Sequence, residues 1–98
     1  MSELPGHYLG SVANYAADTP WDLEYSLTLD AHGHYQFYSR NSEGLVRLRH
    51  AGTSGRAFAQ FAVQNGFDVD DLQRDLRYID SGFAADFSSF MDQRNARA

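Results

Sequence analysis

Two stretches of this 98-residue chain carry the residue types that catalysis or ligand binding uses. His32 and His34 flank Gly33, and imidazole is the commonest transition-metal ligand. No third ligand stands at a recognisable offset, so the pair reads as a solvated turn and no metal is expected. Gly52-Thr53-Ser54-Gly55-Arg56 opens a helix, the setting in which free N–H groups and the helix dipole hold phosphate. The lysine and spacing of a P-loop are missing, and a strand-to-helix connection with a hydroxyl N-cap accounts for the run. Nucleophilic catalysis has the poorest inventory: the chain contains no cysteine, and no serine stands in a GxSxG setting. The expectation is a non-enzymatic protein with no cofactor.

Two further sets suit recognition instead. Asp68, Asp70, Asp71 and Asp75 are the densest acidic cluster, and Asp68, Asp71 and Asp75 lie three and four apart, on one face of a helix. Capping explains part of this, since carboxylates in a first turn complement the positive end of the dipole. An EF-hand is excluded because no glycine and no terminal glutamate occur at the required positions. Glu24, Gln36, Tyr38 and Arg40, with Ser26 among them, fall on the polar face of a hairpin, an aromatic and an arginine among small polar groups, as in protein interfaces. These sets predict a module that meets a larger protein partner through its acidic helix or polar sheet face, such as a small inhibitor or immunity-type protein. The alternative is a small-ligand-binding domain in which Tyr8, Tyr15, Trp21 and Tyr25 line a pocket between sheet and helices. Pairing of the sheet face with a second copy, as a homodimer, is a third expectation.

Charge and length narrow the field. With 8 basic and 13 acidic residues the chain carries a net charge of −5, which disfavours nucleic acid as a direct partner. No apolar stretch approaches the roughly 20 residues of a membrane span. The first residues lack the charged and apolar regions of a cleavable signal, and with no cysteine the expected location is the cytoplasm. Residues 1–98 suffice for one domain, and seven Phe, six Tyr and Trp21 must supply its core without disulfides.

The elements that position these residues follow from periodicity. Leu23, Tyr25, Leu27 and Leu29 alternate with Asp22, Glu24, Ser26 and Thr28, the period of a half-buried strand. Asp30-Ala31-His32-Gly33 then makes a type I turn with a glycine bulge. Counting outward pairs Leu29 with Tyr35, Leu27 with Phe37, Thr28 with Gln36, Ser26 with Tyr38 and Glu24 with Arg40. His7 to Tyr15 reads as an earlier strand with Tyr8, Gly10 and Val12 on one side. A second turn, Asn41-Ser42-Glu43-Gly44, leads to a strand over Leu45 to His50, with Val46 and Leu48 on the side opposite Arg47 and Arg49. The periodicity then changes to 3.6. Helices are predicted from Ser54 to Asn65, from Asp68 or Asp70 through Ile79, and from Asp80 or Ser81, the last fraying over Gln93 to Ala98. Strands followed by helices predict an α+β fold, an antiparallel sheet of about four strands with three C-terminal helices packed on one face. The segments GHYLG and YSLTLDAHGHYQFYSR locally resemble the first strands of small lipocalin-type barrels over about a third of the chain, but the helical remainder does not suit a closed barrel and no family follows from them.

Overall fold

A computed structural model describes residues 4–11 and 22–96 of the protein. Four strands, β1 (His7–Ser11), β2 (Asp22–Leu29), β3 (Tyr35–Asn41) and β4 (Val46–Gly52), form one antiparallel sheet in that order. Three helices follow, α1 (Gly55–Gln64), α2 (Val69–Ile79) and α3 (Ser81–Ala96), so the α+β architecture is the one expected. Both tight hairpins use the same chemistry. Asp30 Oδ1 accepts the N–H groups of His32 and His34 at 2.8 and 3.0 Å, and Gly33 takes φ +84°. Asn41 Oδ1 accepts those of Glu43 and Leu45 at 2.9 and 3.0 Å, and Gly44 takes φ +83°. A short side-chain carbonyl satisfies two turn donors while glycine adopts the left-handed backbone. The first turn sets the register of β2 on β3 as counted from the sequence, from Leu29 opposite Tyr35 to Glu24 opposite Arg40.

Strand alternation then puts Tyr25, Leu27, Tyr35 and Phe37 on the inner face, all buried. Tyr25 stacks on Phe37 with ring centroids 5.0 Å apart, and Phe58 of α1 lies 5.1 Å from both Tyr35 and Phe37. Leu72 and Leu76 of α2, and Phe83, Phe87 and Met91 of α3, complete the same cluster. Each helix begins on the side chain its sequence offers: Ser54 accepts from Ala57 N–H, Asp68 from Asp71 N–H and Asp80 from Phe83 N–H. Gly55 lets α1 cross α3 closely, because a Cβ there would stand 2.3 Å from the Phe83 carbonyl oxygen. The helix α3 continues to Ala96 instead of fraying from Gln93. Arg56 accounts for this, donating to Gln93 Oε1 at 2.6 Å and covering the Phe90 ring at 5.5 Å.

Both edge strands depart from the expected pattern, for one reason. In β1 the pairing passes from Tyr8 opposite Ser26 to Gly10 opposite Tyr25, so Leu9 is an extra, bulged residue. Leu9 is buried, and Tyr8 points to the other face at 59% exposure. Tyr8 therefore does not line a space between sheet and helices, and Val12 to Tyr15 lie outside the described residues. In β4, Tyr38 faces Leu48 and Phe37 faces His50, which leaves Arg49 as the extra residue. The apolar side of β4 is accordingly the outer one, with Leu48 51% exposed, and His50 is turned inward beside Phe61, ring centroids 4.3 Å apart. A bulge resets the alternation and also makes an edge strand a poor template for further pairing.

Candidate functional site

The register lines up one row across all four strands on the face turned away from the helices: Tyr8, Ser26, Tyr38 and Leu48. Beside it run Glu24, Arg40 and Val46 on one flank and Thr28, Gln36 and Ala51 on the other. Glu24 and Arg40 form an ion pair with both side chains less than a third exposed. The Tyr38 hydroxyl donates to Gln36 Oε1 at 2.8 Å, Thr28 Oγ1 donates to the same oxygen at 3.4 Å, and the Tyr8 hydroxyl reaches Glu24 Oε1 at 3.5 Å. Ser26 is fully buried between the two tyrosines, its hydroxyl without a hydrogen-bond partner among the described residues. The hydrogen bonds hold Tyr38 and Gln36 in fixed positions, so the face presents an ordered surface.

Glu24, Gln36, Tyr38 and Arg40, singled out from the sequence, are thus brought onto one surface. Tyr8 and Leu48 were missed there. The side that Tyr8 takes depends on the bulge at Leu9, and Leu48 follows from its pairing with Tyr38 in the register set by the Asn41 turn. The acidic set stands elsewhere. Asp68 is consumed as the N-cap of α2, while Arg74 lies between Asp71 at 3.0 Å and Asp75 at 3.5 Å and offsets their charge. Since α2 belongs to the helical layer, the sheet separates Asp68, Asp71 and Asp75 from the Tyr8–Leu48 row, and the two sets do not merge.

The remaining constellations have structural roles. His34 Nδ1 stands 3.4 Å from Asp30 Oδ2, and the rings of His32 and His34 are 6.1 Å apart. Among the described residues no group of three or more His, Cys, Asp or Glu is placed to hold a metal ion. Desolvation in the turn raises the Asp30 carboxyl, but the N–H donors of His32 and His34 and the two imidazoles outweigh it and hold the group below its ordinary value. Burial pushes the Tyr35 phenol well above its usual range, so it stays protonated and bonds His50 Nδ1 at 2.8 Å. At the start of α1, the Arg56 N–H that a phosphate would use already donates to Asp86 at 2.9 Å. An open cleft of about 610 Å³ is lined by Thr28, Asp30, His34, Tyr35, Gln36 and Gly52 among others. It differs from the aromatic pocket expected from the sequence: Tyr25 is in the core stack, Tyr8 is on the opposite face, and Tyr15 and Trp21 lie outside the described residues.

No helix of the described residues is long and apolar enough to cross a membrane. Set against protein-family models, curated proteins and solved structures, the chain matches none of them.

Proposed function

We propose that this protein is a non-enzymatic binding module that meets a larger protein partner through the outer face of its sheet, in the manner of a small inhibitor or immunity-type protein. One observation carries the reading: Tyr8 at 59% and Leu48 at 51% exposure lie in one cross-strand row with Tyr38, on the sheet face away from the helices. A solvated sheet face ordinarily carries small or charged side chains, whereas clustered aromatic and aliphatic groups within a polar rim have the composition of an interface centre. Glu24, Arg40 and Gln36 supply the rim. The carboxylates of α2, partly offset by Arg74, suit steering of a basic partner better than its anchoring.

Capture of a partner from the host's lysate tests this when wild type is run beside Tyr38→Ala, Leu48→Ser and Asp71→Ala/Asp75→Ala, each at low and high salt. The partner should survive high salt with wild type and the aspartate variant and be lost with Tyr38→Ala and Leu48→Ser. Retention by both sheet variants, with loss in the aspartate variant, would move the site to α2. Absence of any partner would remove the protein-binding reading.

A further inference from the structure

We propose that Asn65–Gly66, at the end of α1, is a site of intramolecular modification at which the asparagine amide is converted to aspartate and isoaspartate. The chain has Asn14, Asn41, Asn65 and Asn95, and of these Asn65 alone precedes glycine. Asn65 is the exposed C-cap, and Gly66 takes φ +73° with no atom within 4 Å of where a Cβ would sit. The reaction needs water and base alone. Hydroxide removes the proton of the Gly66 main-chain nitrogen, which attacks Asn65 Cγ; the N–Cγ bond forms, the Cγ–Nδ2 bond breaks, and Nδ2 leaves as ammonia with a proton from water. Water then opens the five-membered imide at either carbonyl, giving aspartate at one and isoaspartate at the other. A glycine nitrogen is the best nucleophile for this step because no side chain crowds its approach.

Three bonds restrain it in the closed cap. Asn65 Nδ2 donates to the Phe61 carbonyl at 2.8 Å, Gly66 N–H to Val63 at 3.3 Å and Phe67 N–H to Ala62 at 3.0 Å. Asn65 at ψ 8° keeps the Gly66 nitrogen out of line with Cγ. Ring closure therefore waits on opening of the last helical turn, a low-energy local event at an exposed helix end. Asn41 provides the internal contrast, since Glu43 and Leu45 N–H groups hold its amide oxygen and Ser42 follows it.

The product is not neutral for the fold. A carboxylate at residue 65 faces the negative end of the α1 dipole and replaces the Nδ2 donor to Phe61 with an acceptor. Isoaspartate also lengthens the main chain by a methylene and displaces the turn that seats Phe67, which lies 5.4 Å from Tyr25, 5.7 Å from Phe37 and 5.9 Å from Phe61. A surface reaction thus loosens the aromatic core as the protein ages. This inference stands apart from the binding reading.

The test is incubation of the full folded chain in mildly acidic and mildly alkaline buffer, with peptide mass mapping and thermal melts over days. The expected result is an amide-to-acid mass change confined at first to residue 65, faster in alkali, with the melting temperature falling by roughly 5 °C as it accumulates. Asn65→Asp should show a fall at once, and Asn65→Gln should resist the mass change. An unmodified Asn65 in the folded chain while the same chain in guanidinium chloride reacts, or reaction at Asn41 first, would overturn the site. Full conversion with an unchanged melting temperature would overturn its coupling to the core.

Discussion

The two faces of the sheet are built from adjacent residues of the same strands and have opposite fates. On β3, Phe37 is fully buried against Tyr25, Phe58 and Phe67, whereas Tyr38, one residue on, is held by Gln36 on the face turned away from α1, α2 and α3. Both faces carry large side chains, so composition does not separate them; helical cover does. The inner face is explained once the helices are in place. The outer row of Tyr8, Tyr38 and Leu48 is left uncovered by α1, α2 and α3, and that is the physical ground for proposing it as the binding surface.

The comparison breaks most visibly at Phe37 and Tyr38. Phe37→Ala should cost about 3–5 kcal/mol in chemical denaturation, a large part of the stability of so small a protein, and Tyr38→Ala about 1 kcal/mol or less. Equal losses would mean that the outer face is packed as well. Next in size is Gly52, opposite Tyr35 in register, where a Cβ would stand 2.7 Å from the Tyr35 ring. Gly52→Ala should cost about 1–3 kcal/mol and release the Tyr35–His50 hydrogen bond, visible in the His50 imidazole resonances.

Leu48 sharpens the comparison further. A buried leucine cut to a small residue loses about 2–5 kcal/mol, whereas Leu48→Ser should change stability by no more than about 0.5 kcal/mol in the same denaturation assay. Ser26 gives an effect of opposite sign. Its hydroxyl is buried without a partner among the described residues, so Ser26→Ala should leave the melting temperature unchanged or raise it, by up to about 1 kcal/mol in stability. The smallest effect lies in the turn. The Asp30 carboxyl is held below its ordinary value in the folded chain, so its contribution is present above the unfolded value of 3.8 and is lost as pH falls through the lower folded one. Asp30→Asn copies the Asn41 turn, and should keep the neutral-pH melting temperature while flattening its decline in acid.

Much of the fold was legible because local chemistry decided it. The Asp30 turn fixes the β2–β3 register, and hydroxyl or carboxylate caps at Ser54, Asp68 and Asp80 fix where the helices begin. The edges were not legible. At Leu9 an extra residue is absorbed, so strict alternation put Tyr8 on the same side as Gly10, and at Arg49 another turns His50 inward beyond Leu48. The length of α3 escaped because Arg56, far away in sequence, supports its last turns. Of the candidate site, the polar residues on β2 and β3 were readable from one hairpin, but its apolar row also needs the pairing of both edge strands and the bulge beside Tyr8. The acidic helix was readable as a charge pattern, whereas the placement of Arg74 between Asp71 and Asp75 is a matter of side-chain geometry.

The most direct measurement is the affinity of the captured partner for the Tyr38→Ala/Leu48→Ser double variant, taken with its melting temperature. If the outer face is the binding surface, affinity should fall by at least about 30-fold, since central interface residues contribute about 2 kcal/mol or more each, while the variant still melts close to wild type. Undiminished affinity in a variant that melts like wild type would contradict the assignment.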